Sequence, residues 1–101
     1  MTQTITTTLD GRHTTVAAGA GDAPAHVNGA AQCVVTAAPG AGGSMLAEAT
    51  WSDPAAVAAG TATWFPWDAG TVSAKANQLL LNATAVRFTA TAAAGVGEVA
   101  R

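Results

Sequence analysis

Thr84-Ala85-Val86-Arg87-Phe88-Thr89-Ala90-Thr91-Ala92 is the stretch that decides the fold class. Val86, Phe88, Ala90 and Ala92 fall on one side of an extended chain, and Arg87, Thr89 and Thr91 on the other. Side chains of a strand point alternately to its two faces, so this alternation marks a strand with one face buried and one in water. Downstream, Gly95 and Gly97 allow a turn or bulge before Glu98-Val99-Ala100, which is expected to pair back as a last short strand. An exposed pair between Arg87 and Glu98 would help set that register, at about 0.2–1 kcal/mol.

Working upstream, other segments carry the same vocabulary. Residues 3–9 alternate Ile5, Thr7 and Leu9 against Thr4, Thr6 and Thr8. Asp10-Gly11 then supplies a tight turn into a strand over 12–18, an N-terminal hairpin. Residues 32–37 and 45–51 read as two more strands. The aromatic-rich segment 61–67 runs into Asp68-Ala69-Gly70, a hairpin turn, with 71–74 as the returning strand. Leu79-Leu80-Leu81 is a short buried strand or the end of a turn. Residues 19–31 and 39–43 read as loops. In Asp53-Pro54-Ala55-Ala56-Val57-Ala58-Ala59-Gly60, Asp53 caps a helical turn, Pro54 opens it and Gly60 stops it. So short a helix is marginal alone, and one turn or a crossing loop is expected. About seven short strands between turn signals predict an all-β fold, a small antiparallel β-sandwich or barrel, in a single domain over residues 1–101.

Composition bears on how such a domain is stabilised. Half of the 101 residues are hydrophobic, most of these are alanine, and only 10% are charged. A buried alanine contributes far less than the roughly 1.5–3 kcal/mol of a buried Val, Leu or Phe. Few surface charges also leave little repulsion to keep copies apart. A thin core and a weakly charged skin predict a protein that completes its stability against neighbours. The net charge is −2, and the four cations Arg12, Lys75, Arg87 and Arg101 are scattered. Nucleic-acid binding wants a basic stripe, so no nucleic-acid partner is expected. The N-terminal residues show no signal-peptide pattern, and no apolar run reaches a membrane span, so no membrane partner is expected. The single cysteine, Cys33, lies in an expected strand and reads as a buried thiol.

The motifs that carry chemistry are absent or incomplete. His13 and His26 lack the converging ligands of a metal site and read as polar surface. None of Ser44, Ser52 and Ser73 lies in a nucleophile elbow. Gly40-Ala41-Gly42-Gly43-Ser44 lacks the lysine of a phosphate loop, and six dispersed acids give no reason to pair two. No catalytic residue, metal or cofactor is assigned, and the protein is not expected to be an enzyme. The sharpest local feature is Trp64-Phe65-Pro66-Trp67. On a strand Trp64 and Phe65 project to opposite faces, and Pro66 suits an edge strand or bulge. At least one large aromatic then faces outward, as a subunit contact or a sugar-stacking platform. The competing reading is that Trp51, Trp64, Phe65 and Trp67 simply fill the core.

The C-terminal half resembles small virion structural proteins of tailed bacteriophages. The likeness runs from Gly60-Thr61-Ala62-Thr63-Trp64 through Val72-Ser73-Ala74 to Ala85-Val86-Arg87-Phe88-Thr89-Ala90-Thr91, with the ending Gly95-Val96-Gly97-Glu98-Val99. It covers about half the chain, rests on general β vocabulary and transfers no active-site residue. It implies a short β domain that decorates capsids or builds neck and tail parts, made in the host cytoplasm and resident in the virion. The expected function is a non-enzymatic capsid decoration or cement subunit, with the major capsid protein or other virion proteins as partners and self-association into a homo-oligomer. Trp64 and Trp67 are the expected anchors, with Thr4 and Ile5 in a strand-adding arm over residues 1–9. The alternatives are a carbohydrate- or host-surface-binding module of a head fibre or tail tip, using Trp64 or Trp67 beside Asp68 and Asn77, and a neck or tail connector.

Overall fold

The computed structural model describes residues 3–101. Nine strands and one short helix follow in the order β1 (Thr4–Thr7), β2 (His13–Ala18), β3 (Val27–Asn28), β4 (Gln32–Pro39), β5 (Ser44–Thr50), α1 (Pro54–Ala59), β6 (Phe65–Pro66), β7 (Ala76–Leu81), β8 (Ala85–Thr91) and β9 (Gly95–Ala100). They form two antiparallel sheets, one ordered β1-β2-β9-β4-β7 and the other β3-β8-β5-β6. The all-β sandwich is the expected class. Strand β3 falls inside the expected loop 19–31, and no strand forms over the expected 71–74.

The stretch that decided the class behaves as its alternation requires. Val86, Phe88 and Ala90 of β8 are fully buried, while Arg87 and Thr89 stand half out on the other face. Opposite them, Val16, Cys33, Val35, Ala37 and Val99 close the core from the five-stranded sheet. Phe88 and Met45 are the largest fully buried side chains, in a core otherwise made mostly of valine and alanine. Each large one contributes about 1.5–3 kcal/mol, so very few residues carry much of the apolar stabilisation.

The two glycines after β8 act differently from expectation. They do not make a turn that folds the chain back on β8. Instead β9 crosses to the other sheet and lies at its centre, between β2 and β4. A Cβ on Gly97 would stand 2.5 Å from the Phe88 ring, and one on Gly95 would collide with the Met45 sulfur. These positions are empty of side chain so that the facing sheet's two largest core groups can seat against backbone. Because β8 and β9 lie in different sheets, the expected Arg87–Glu98 pair does not form. Arg87 Nε donates to Glu48 Oε1 at 3.0 Å across β5, and Glu98 meets His13 Nε2 at 3.3 Å across β2.

Local signals hold where they are self-contained. Asp53 Oδ1 accepts from Ala56 N at 3.0 Å, Pro54 opens α1, and Gly60 ends it at φ 76°. The N-terminal hairpin forms around Asp10, whose Oδ1 accepts from Thr8 Oγ1 at 2.6 Å and Arg12 N at 3.0 Å. Those two bonds, Thr8 first, hold the Asp10 carboxyl below its ordinary pKa. Cys33 is buried, and that burial pushes its thiol pKa up.

The expected hairpin over 61–74 is replaced by something flatter. Only Phe65–Pro66 is a strand, paired with Ala49 and Glu48 of β5. Trp67 N then donates to Ala47 O, residues 67–70 turn outward, and Val72 bridges Met45 further along the same β5. Segment 65–72 is thus one interrupted edge beside β5, and 71–74 does not return along 61–67 but meets β5 through Val72. The following strand is longer than the leucine run suggested, Ala76–Leu81, and pairs with β4 throughout.

Candidate interaction surface

The interesting surface is built where the edges β6 and β7 of the two sheets meet. Strand alternation sends Leu80 into the core and leaves Leu79 and Leu81 on the outer face. Leu79 lies opposite Val34 of β4, and Val34 opposite Ala100 of β9, so the apolar surface continues across the sheet. At the end of β5, Trp51 turns outward and its Nε1 donates to the Leu81 carbonyl at 2.8 Å. The Trp51 and Phe65 rings are 6.4 Å apart and tilted by 54°, within the range of favourable aromatic pairs. Trp51, Phe65, Leu79 and Leu81 keep between 48% and 57% exposure. Scattered single hydrophobes on a surface are ordinary, whereas these lie together in one connected band.

The band carries no charge of its own. Strand β7 reads Ala-Asn-Gln-Leu-Leu-Leu; the His13–Glu98 pair lies on the same outer face past Val34, and the Arg87–Glu48 pair sits on the outer face of the other sheet. There the Arg87 guanidinium lies 4.4 Å from the centre of the Trp64 ring, occupying one face of it. Among the described residues no three His, Cys, Asp or Glu side chains converge, and no helix is long and apolar enough to cross a membrane.

The opposite side of the sandwich, between β1 and β3, is closed by polar groups. Gln3 Nε2 donates to Phe88 O at 2.7 Å, while its Oε1 accepts from Ala25 N at 3.0 Å. Arg101 donates through Nη1 to Gly11 O and Thr14 Oγ1, each at 3.0 Å, and through Nη2 to Asn28 O. These bonds tie the two sheets together. The cleft around them, about 530 Å³ and lined by Thr7, Gly11, Thr14, Asn28 and Arg101, has its guanidinium already directed at protein acceptors.

The residues singled out from sequence do not come together. Trp67 is 4% exposed, belongs to the core, and has its Nε1 bonded to Gly70 O at 2.6 Å. It seals the opening between the sheets, so it is corrected from contact anchor to core residue. Trp64 is half-buried beneath Arg87. With Trp67 inside, only Trp64 remains of the two rings expected beside Asp68, and Arg87 occupies one of its faces. Nor do the aromatics all fill the core: Trp51 and Phe65 are the ones left outside. Thr4 and Ile5 are exposed, yet both lie in β1, paired with Ala17 and Val16 of β2. That edge is the far side of the five-stranded sheet from β7. Residues 4–7 are an edge strand of this domain, and the first two residues of the expected arm lie outside the described residues. The leucine triplet held the missed signal. In any strand at least one of three consecutive leucines must face away from the core.

Fold and surface together define a small antiparallel β-sandwich with an uncharged apolar band along one side. Comparison with known proteins finds no matching family model, no matching curated protein and no matching solved structure.

Proposed function

We propose that this protein is a non-enzymatic structural subunit of a larger particle, acting as a decoration or cement component of a bacteriophage capsid. The observation that supports the assembly reading is the connected band of Trp51, Phe65, Leu79, Leu81 and Val34 on an otherwise self-contained sandwich. Aromatic and aliphatic side chains depleted of charge are what the buried centres of protein interfaces contain. Burying the band at a junction between capsid proteins favours the assembled lattice by mass action, because the ligand binds one state and not the other. The capsid setting rests on the resemblance of the C-terminal half.

The test is made on particles. The protein should be found in stoichiometric amounts by mass spectrometry of purified virions from the phage that encodes it. Particles lacking it should rupture at lower temperature, and added wild-type protein should restore them. A Trp51→Ser/Leu79→Ser double variant should fold and fail to restore them. Absence of the protein from purified virions overturns the reading.

A further inference from the structure

We propose that β7 is a self-pairing edge: two copies of the chain join through β7 about a two-fold axis, merging their five-stranded sheets into one. This rests on the band being a contact surface and names what covers its β7 part. Among the described residues β7 pairs with β4 alone, so its other edge has no strand beside it. Asn82 N donates to Ala31 O, toward β4, whereas the Leu81 carbonyl turns outward to Trp51. Backbone groups alternate sides along an antiparallel strand, so the N–H and C=O of Leu79 and Asn77 also point outward.

β7 is the longest of the four outer edges, and Trp51 covers only its last carbonyl. Exposed edges are normally blunted by shortness, proline or charge. β3 and β6 have two residues each, and β6 contains Pro66; β1 has four residues, three of them threonine. β7 runs for six residues with no charge and no proline, flanked by half-exposed leucines.

Three features select a second copy as the occupant. First, a two-fold arrangement lets Leu79 of each copy exchange hydrogen bonds with Asn77 of the other, with the two Gln78 residues facing each other at the axis. The alternative centred on Leu79 would need the Leu81 carbonyl, which Trp51 already occupies. Second, a strand with no charge meets its own copy without repulsion. The nearest charge, Lys75, would face Leu81 of the second copy, roughly 20 Å along the strand from its own mate. Third, the exposed parts of Trp51, Phe65, Leu79 and Leu81, which border the joined edge, amount to on the order of 400 Å² of apolar surface. With the backbone and flanking side chains of β7, that approaches the roughly 800 Å² per partner of a standard stable interface.

The experiment is sedimentation of the full chain over a wide concentration range, with cysteine cross-linking to read the register. The wild type should reach twice its protomer mass of 9.8 kDa at high micromolar concentration. Leu79→Lys, on the outer face, should leave the circular dichroism and melting unchanged and return the protein to protomer mass. Asn77→Lys serves the same purpose if the first variant folds poorly. In a Cys33→Ala background, Gln78→Cys should oxidise to a covalent dimer and Asn77→Cys should not, because only residue 78 faces its own copy. A protomer at every concentration, or a dimer that survives both lysine variants, overturns the proposal. A protomer that still loads onto particles overturns self-pairing alone, and a dimer missing from particles overturns only the capsid reading.

Discussion

The two open sides of the sandwich are closed by different chemistry. Between β1 and β3, Gln3 and Arg101 stitch the sheets with hydrogen bonds to backbone carbonyls and to Thr14. Between β6 and β7, Trp67 fills the gap with apolar bulk, and Trp51 and Phe65 remain half outside it. A polar clamp is saturated once its donors meet acceptors, and it leaves nothing that asks for a partner. An aromatic seal has no such end point: rings too large for the available core keep apolar area in water. The difference explains how one small domain combines a polar, closed flank with an apolar, half-open one.

The largest expected effect tests the seal. Trp67→Ala should cost about 3–5 kcal/mol, since it removes the bulk of that side's core and leaves a cavity. Urea denaturation reads this directly, and a loss below about 1 kcal/mol would mean the side is closed by something else. Arg101→Ala comes next, with an expected loss of about 1–3 kcal/mol because several acceptors spanning both sheets lose a charged donor. The same denaturation experiment measures it, and an unchanged midpoint would remove the clamp from the account. Leu81→Ser should change stability by less than about 0.5 kcal/mol, as an exposed site does. It should nevertheless lower the binding of an apolar fluorescent dye, which Ile5→Ser on the clamped side should do far less.

The smallest effect belongs to Asp10, which shapes the turn that offers the Gly11 carbonyl to Arg101. Its folded pKa lies below the ordinary aspartate value, so its contribution to stability is present above that value and is lost as pH falls through the lowered one. Amide shifts of Gly11 and Arg12 should follow that titration in an NMR series. A midpoint at or above the ordinary value would contradict the hydrogen bonds drawn around the turn.

What could be read from sequence was what neighbours in the chain determine. The alternation of β8, the Asp10-Gly11 turn and the Asp53, Pro54 and Gly60 signals of α1 are local, and each is found in place. Strand order was not legible, because the pairing of β9 with β2 and β4 joins residues far apart in sequence. Gly97 read as a turn residue for that reason: its demand comes from Phe88, which only the fold brings near. The outward band was half legible. The alternation over 64–67 pointed to a large aromatic outside, but the assignment went to Trp64 and Trp67, whereas Trp51 and Phe65 are the exposed rings. Trp67 is drawn inside by the outward turn at 67–70, which bonds Trp67 N to Ala47 O and Trp67 Nε1 to Gly70 O. Gln3 and Arg101 left no signal, since a donor aimed at backbone carbonyls has no partner visible in the residue string.

The placement of β9 has a consequence for biosynthesis. The strand that emerges last of the nine is the one that joins the N-terminal hairpin to β4. A nascent chain therefore holds two disconnected sheet fragments, with the pocket for Phe88 half built, until residues 95–100 leave the ribosome. Closure of the five-stranded sheet should wait for β9 and be slowed by the distance between the residues that must find each other. Any truncation that removes this strand should yield insoluble polypeptide instead of a smaller working domain.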